Sequence, residues 1–218
     1  MRSHQLLLHE QVLLVALHDE KGTAPQPNTD LAVAASVLHE LLRAGRLELV
    51  PDKKKSIVQV ADSTVTGEQA LDEALVGILG GKTKRLEWWV QRLGGKPALR
   101  HTTARGLVDR GVLEVRDGGF FGLGADRYPE RDGAPEAGIR ARVGQAVLTD
   151  GYVDEPTRTL VVVLDAADLL TKAVDRKSLR SRKARLKELR EGDEIGDALA
   201  EALQAIQAAI ISATTAAT

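Results

Sequence analysis

Two segments that repeat the same order of helix, glycine and strand constrain the fold most. Residues 41–50 read LLRAGRLELV and residues 107–116 read LVDRGVLEVR. In both, a helical segment stops at a glycine, which can adopt the left-handed conformation that ends a helix. A short alternating strand follows and runs into a polar turn, PDKKKS in the first case and DGG in the second. The sequence therefore predicts two β-hairpins, each entered from a helix.

Helical periodicity dominates the rest of the chain. Apolar residues recur at intervals of three and four, and glycine or proline separates the periodic segments. These patterns predict helices over 4–18, 31–44, 67–79, 84–93, 96–110, 137–148, 155–174, 176–190 and 194–212. The predicted fold class is mostly α: a single globular helical domain over residues 1–218, with about nine helices and two β-hairpins, one of them projecting.

The composition excludes several classes of protein. The chain has 218 residues, of which 43% are hydrophobic and 28% are charged, so it can build a core and stay soluble. It has no cysteine, which excludes disulfides and thiolate metal sites. No segment reaches the ~18 consecutive apolar residues of a membrane-spanning helix. We therefore expect a cytoplasmic protein whose membrane contact, if it has one, is peripheral.

No motif outlines an active site. The sequence GGKT at 80–83 resembles the end of a phosphate-binding loop, but Val76 stands where the full motif needs glycine. The five histidines show no zinc-ligand spacing and are expected at the surface or at the edge of the core. There is no Gly-x-Ser-x-Gly elbow. We therefore expect no catalytic residues, no metal and no cofactor.

The most strongly basic segment lies near the C-terminus. From Lys172 to Arg190, nine residues are Lys or Arg and two are acidic. Five cations recur at intervals of four and three, which puts them on one stripe of a helix: Arg176, Arg180, Lys183, Lys187 and Arg190. Such a stripe predicts a surface for anionic lipid, at ~1 kcal/mol per basic residue. The alternative is a solvated face that Glu188, Glu191 and Asp193 partly neutralise.

Two aromatic pairs stand out in a chain with 3% aromatic residues. Trp88 and Trp89 are neighbours in a predicted helix, so one is expected in the core and the other half exposed. Phe120 and Phe121 are the only phenylalanines, and they lie at the return of the second hairpin with Leu123. Exposed apolar side chains there predict a membrane or oligomer contact. The alternative is that both rings pack against neighbouring helices.

Six stretches of the chain, taken together and in order, resemble the Golgi phosphoprotein 3 family, which includes bacterial and especially actinobacterial members. They lie within residues 5–175: LLLHEQVLLVALHDEKG, LHELLRAGRLEL, GEQALDEAL, GLVDRGVLE, FFGL and QAVLTDGYVDEPTRTLVVVLDAADLL. The resemblance implies a mostly helical domain with a projecting hairpin. It also implies that this hairpin, expected at 113–124, contributes to membrane contact and to a homo-oligomer.

The resemblance implies a lipid-headgroup site that is largely degenerate in this chain. Eukaryotic members are peripheral Golgi membrane proteins that bind phosphatidylinositol 4-phosphate and hold glycosyltransferases in place. The family's Trp after the first helix and Arg on the second fall near Pro25 and Ala34 in this chain. Its two basic residues before the hairpin correspond to Pro97, beside Lys96, and to Arg100. The headgroup candidates are therefore Lys96 and Arg100 alone.

The expected function is a non-enzymatic, peripheral adaptor that resembles these phosphoinositide-binding proteins. Its expected partners are an anionic phospholipid or phosphoinositide headgroup, at the inner face of the membrane, and unidentified protein clients. One alternative is a soluble oligomeric scaffold without lipid binding. Another is a winged-helix DNA binder that reads DNA with residues 98–110. Nucleic acid is not expected as a partner, because Asp109 opposes the few cations of that helix and the net charge is −1.

Overall fold

The computed structural model describes residues 5–17, 21–24, 28–52, 55–95, 97–116, 126–191 and 194–216. Over these residues it has ten α-helices, a short 3-10 helix at Leu170–Lys172 and one three-stranded antiparallel sheet. The predicted mostly helical fold with a hairpin is confirmed. In chain order the elements are α1 (Leu8–Ala16), α2 (Asn28–Arg43), β1 (Leu47–Asp52), β2 (Lys55–Val60), α3 (Gln69–Leu79), β3 (Lys84–Arg85), α4 (Leu86–Gly94), α5 (Ala98–Asp109), α6 (Ala134–Leu148), α7 (Glu155–Ala166), α8 (Arg176–Ser181), α9 (Lys183–Arg190) and α10 (Glu194–Ala216).

Helices α1, α2 and α7 form the centre of the core. Every residue of α1 is buried, and α2 contacts α1, α3, α4, α5, α7 and α10. Small side chains at Ala32, Ala34 and Ala35 let the neighbouring helices approach α2 closely, and all three are fully buried. The run of valines in α7 fills the space between α1, α6 and α10. The outer helices are held around this centre by their apolar faces.

Both helices end at a glycine as the sequence predicts; the strand β1 follows the first glycine, and isolated bridges follow the second. Gly45 and Gly111 have φ angles of +65° and +74°, in the left-handed region. In each case the amide just beyond the glycine donates to the carbonyl five residues earlier, at 2.9 Å. This bond is characteristic of the Schellman motif, which satisfies a free carbonyl at the helix end and turns the chain. The glycine therefore sets the direction in which each strand leaves its helix.

Over the described residues, the two hairpins differ in their pairing. In the first, β1 and β2 pair from Leu47 opposite Val60 to the polar turn, and β3 adds a third strand beside β2. The second hairpin is represented by two antiparallel bridges at its base, the first joining Leu113 to Glu130. Because the pairing reaches Glu130, this hairpin is longer than the expected 113–124.

Two segments predicted as single helices are each divided in two. The segment 155–174 leaves the α-helix after Ala166, and Asp168 has a φ of +56° before the 3-10 turn begins. The segment 176–190 breaks at Arg182, whose φ and ψ are −109° and 22°. The Nε of Arg182 donates to the carbonyl of Val147 on α6 at 2.9 Å. A contact with a distant element thus interrupts a pattern that is locally helical.

Replacing Gly111 with alanine tests the helix end. A Cβ there meets no atom within 4 Å, so the cost comes from the left-handed backbone alone. We expect Gly111→Ala to lower the free energy of unfolding by ~1–2 kcal/mol, measured by urea denaturation. Gly144→Ala is the matched control, because Gly144 lies inside α6 with equally open space. It should stabilise the protein by up to about 1 kcal/mol; equal effects of both changes would contradict the assigned conformation.

Replacing Asp154 tests the start of α7. Its side chain accepts the N–H of Thr157 at 2.8 Å, and this bond lowers the pKa of Asp154 below its ordinary 3.8. Since the folded-state pKa is the lower one, the stabilisation is complete above 3.8 and is lost as the pH falls through the folded value.

We expect Asp154→Ala to cost ~1 kcal/mol of unfolding free energy at neutral pH. In urea titrations this difference from the parent protein should shrink in acid. Asp154→Asn, which keeps the acceptor oxygen, should retain most of the stability at both pH values. A deficit in the alanine variant that does not change with pH would refute the capping role.

Candidate functional site

Arg100, the described headgroup candidate, is engaged inside the protein. Its Nε donates to Oδ1 of Asp30 at 2.7 Å, which joins α5 to α2. The two side chains are 12% and 9% exposed. The neighbouring His101 lies 3.0 Å from the Tyr128 hydroxyl, and burial together with the Arg100 charge lowers its pKa. The surroundings of Arg100 therefore hold an internal ion pair and an imidazole biased towards its neutral form.

The other positions of the implied headgroup site add little to it. Ala34 is fully buried within α2, and Pro97 is exposed immediately before α5. Lys96 and Pro25 lie outside the described residues. The structure thus brings no second described cation of this set beside Arg100, and the headgroup role of Lys96 and Arg100 stays a prediction.

The second hairpin is expected to contact a membrane or another copy of the chain through three apolar residues. Phe120, Phe121 and Leu123 lie outside the described residues. At the base of the same hairpin, Val115 is 46% exposed. The Arg116 guanidinium pairs with Glu114 at 2.6 Å. The contact role of this hairpin, and the homo-oligomer through it, stay predictions.

Two arginines of the basic segment point inward and hold the end of α6. Arg185 is 6% exposed, and it donates to the carbonyls of Ala146 at 3.1 Å and Gly151 at 2.5 Å. Arg182 donates to another α6 carbonyl and pairs with Asp150, which lowers the pKa of that carboxyl. The last carbonyls of a helix carry partial negative charge, so guanidinium groups are well placed there. These two cations are therefore structural.

Four of the five stripe cations surround one open depression between α9 and α7. The depression has a volume of about 350 Å³. We call it the basic groove; it is lined by Asp165, Leu179, Arg180, Lys183, Leu186, Lys187 and Arg190. Arg176, the fifth member of the predicted stripe, is exposed at the start of α8 and does not line the groove. Four of the five predicted stripe residues therefore lie together, although the helix breaks at Arg182.

The groove carries more positive charge than its own carboxylate balances. Asp165 pairs with Arg190 at 2.5 Å. Within the described ranges, Arg180, Lys183 and Lys187 form no ion pair and no side-chain hydrogen bond. Ammonium and guanidinium groups together can bind a phosphate through charge-assisted hydrogen bonds. The arrangement is therefore suited to an anion carried by a partner.

Sequence reasoning missed a buried polar cluster on α1. His9, expected at the surface or at the edge of the core, is 1% exposed, and its Nδ1 lies 2.5 Å from Oε2 of Glu40. The other oxygen of Glu40 accepts the N–H of Leu8 at 2.7 Å. Burial raises the pKa of the adjacent Glu10, although Arg110 lies 3.2 Å away. These contacts tie α1 to α2 and to the end of α5. The sequence signal that could have revealed them is the polar triplet HEQ at 9–11, which interrupts the run of leucines.

The described residues offer neither a metal site nor a membrane span. They contain no group of three or more His, Asp or Glu residues that could hold a metal ion. They also contain no helix whose length and apolar character would let it cross a bilayer.

Comparison with known proteins agrees with the expected resemblance. A model of the family Golgi phosphoprotein 3 (GPP34) matches residues 8–207. Vacuolar protein sorting-associated protein 74 of Eremothecium gossypii is 30% identical over 162 residues, which cover 65% of this chain and 49% of that protein. The protein of the same name in Schizosaccharomyces pombe is 26% identical over 170 residues, 69% of this chain and 50% of that protein. The chain thus spans about half the length of these curated relatives; the bacterial origin stays a prediction.

Substitution of Arg185 and Lys187 distinguishes the inward from the outward cations. Arg185→Ala removes the donor of a buried bond to the Ala146 carbonyl and of a partly buried bond to the Gly151 carbonyl, and it should lower the free energy of unfolding by about 2–3 kcal/mol. Lys187→Ala removes an exposed side chain of the groove and should change it by less than about 0.5 kcal/mol. Urea denaturation of both variants measures the difference. Similar losses, or a larger loss for Lys187→Ala, would show that the two roles are assigned wrongly.

Proposed function

The chain belongs to the Golgi phosphoprotein 3 family, and from that premise we propose that it is a peripheral adaptor that docks on anionic membranes through the basic groove. In this proposal the protein is non-enzymatic and cytoplasmic, and it lies at the inner face of the membrane. The name of its two relatives associates those proteins with vacuolar protein sorting, which is compatible with an adaptor role. Its protein clients are unidentified.

The observation that carries this proposal is the unpaired charge of the groove. Lys183 and Lys187 are exposed, and no described carboxylate neutralises them. Like charges on one face repel each other, and an anionic surface that covers the face relieves this repulsion. Binding to such a surface is therefore favourable. At ~1 kcal/mol for each basic residue near a charged leaflet, a few such side chains give a measurable membrane affinity.

The surroundings of Arg100 support a surface mode of docking over specific headgroup recognition. A phosphate group needs several donors that converge on it, and the Arg100 guanidinium is engaged with Asp30 in a largely buried pair. Breaking such a pair to bind a headgroup leaves Asp30 buried without its partner, which is costly. We therefore propose that binding depends on the charge density of the lipid and that no single headgroup is selected.

Vesicle flotation tests the proposal. The protein is mixed with vesicles of phosphatidylcholine alone, of phosphatidylcholine with phosphatidylglycerol, and of phosphatidylcholine with phosphatidylinositol 4-phosphate at the same total charge. We expect binding to both anionic mixtures with similar affinity, little binding to phosphatidylcholine, and weaker binding as salt is added, because salt screens exposed charges. The double variant Lys183→Ala, Lys187→Ala should bind about thirtyfold less tightly, at ~1 kcal/mol for each lost cation.

The matched control is the double variant Arg43→Ala, Arg105→Ala. It removes the same charge from exposed positions on α2 and α5. It should bind nearly as the parent protein does. Equal losses in the two double variants would show that only net charge matters, and binding that ignores lipid charge would contradict the proposal. Strong preference for the phosphoinositide would favour the headgroup candidates Lys96 and Arg100 instead.

A further inference from the structure

The basic groove combines exposed cations with an apolar surface. Three exposed cations line it: Arg180, Lys183 and Lys187. Leu179 and Leu186 line the same depression, and both side chains are half-buried and packed against the hydrophobic core. A free anion would use the charge-assisted hydrogen bonds of the cations and would leave the leucines without a partner. The groove is therefore suited to a molecule that has both an anionic and an apolar part.

The walls of the groove are held in place by contacts with other helices. Leu179 and Arg180 belong to α8, and the lining residues beyond the break at Arg182 belong to α9. Arg182 donates to a carbonyl of α6 at 2.9 Å. At the end of α9, Arg190 donates to Asp165 on α7 at 2.5 Å. Because these contacts fix both helices, the groove loses little conformational freedom when a ligand binds.

The charges of the groove select an anion and determine where it lies. Among the described lining residues the one carboxylate is Asp165, which is paired with Arg190. Lys183 and Lys187 are four residues apart, so they are neighbours on one face of α9. Arg180 precedes Lys183 by three residues. An anionic group is attracted by these three cations and repelled by Asp165, so it lies at the cations and away from that carboxylate.

The size of the groove favours part of one small molecule over a protein partner. Its volume of about 350 Å³ lies at the lower end of the ~300–1,000 Å³ that small-molecule sites occupy. A stable protein interface involves about 20–30 residues on each partner, whereas seven residues line this groove. A phospholipid combines a phosphate group with acyl chains, which matches the cations and the leucines.

We propose that the basic groove holds part of one anionic phospholipid molecule. The lipid phosphate contacts the three cations, and the upper methylene groups of an acyl chain contact Leu179 and Leu186. This inference rests on the proposed function and deepens it, because a surface that docks on a charged leaflet becomes a site for an individual lipid. The groove contacts the phosphate and the first part of the chain, which anionic phospholipids share, so it selects no single headgroup.

Short-chain lipids that stay monomeric in solution test this site without a membrane. Calorimetry measures the affinity of the parent protein for dihexanoyl phosphatidylglycerol, below the concentration at which it forms micelles, and for glycerophosphoglycerol, which lacks the acyl chains. We expect the acylated compound to bind at least about tenfold more tightly, because each methylene group removed from water contributes about fourfold. Inorganic phosphate should bind as weakly as glycerophosphoglycerol. Dihexanoyl phosphatidylcholine should also bind weakly, because the cations repel its choline group.

Matched leucine variants test the apolar contact. Leu186→Ala should weaken the binding of dihexanoyl phosphatidylglycerol about fivefold and leave the affinity for glycerophosphoglycerol unchanged. Leu93→Ala is the control, because Leu93 is also half-buried against the core but lies on α4 and does not line the groove. It should bind both compounds as the parent protein does. The comparison of the two compounds on the parent protein needs no variant, so it decides the matter even where Leu186→Ala does not fold.

Nuclear magnetic resonance locates the bound lipid. Amide chemical shifts of residues 179–190 should move on addition of dihexanoyl phosphatidylglycerol, and those of residues 98–109 should not. Shifts confined to 98–109 would place the lipid beside Arg100 and overturn the inference. A hexaglutamate peptide that binds as tightly as the lipid would show a general surface for anions, which also overturns it.

The outcomes separate this inference from the proposed function. Equal affinities for the acylated and deacylated compounds, in protein that floats with anionic vesicles, overturn the lipid site and leave docking by charge intact. Binding of the monomeric lipid without flotation supports the lipid site and overturns membrane docking. Absence of both overturns both.

Discussion

The buried guanidinium of Arg185 determines which way the cations of α9 point. Its three nitrogens donate to the carbonyls of Ala146 and Gly151 and to the carboxylate of Glu188. A buried charge is tolerated only when it is bonded in this way. Residues two positions away on a helix point about 200° away. Fixing Arg185 against α6 therefore turns Lys183 and Lys187 towards solvent.

This contact divides a uniformly basic segment into two parts with different roles. Arg182 and Arg185 satisfy carbonyls at the end of α6, where the backbone itself supplies the negative charge. The outward cations meet one carboxylate, Asp165, and it is already paired with Arg190. The attraction that remains is available to a partner, and we propose that this partner is an anionic membrane. Elsewhere in the protein, the Arg100 guanidinium donates to Asp30, so this headgroup candidate is engaged inside the protein.

Features that depend on contacts between residues close in sequence were predictable, and features that depend on distant contacts were not. The helix ends at Gly45 and Gly111 were predictable, because a left-handed glycine closes its own helix. The break at Arg182 was not, since it depends on a carbonyl 35 residues away. The pairing of Arg100 with Asp30 spans 70 residues, so a positional match to a family motif could not reveal it. The spacing of four and three predicted four of the cations that line the groove. It could do so because α8 and α9 are each regular helices, so the spacing holds within each of them.

Hydrogen–deuterium exchange with and without anionic vesicles tests most directly the claim that the outward cations form the docking surface. Covering α8 and α9 with lipid suppresses their local opening, so their amides should exchange more slowly in the bound protein. Residues 98–109 of α5, which carry Arg100, should be unchanged. Slower exchange in α5 with no change at 176–190, in protein that demonstrably floats with the vesicles, would contradict this account.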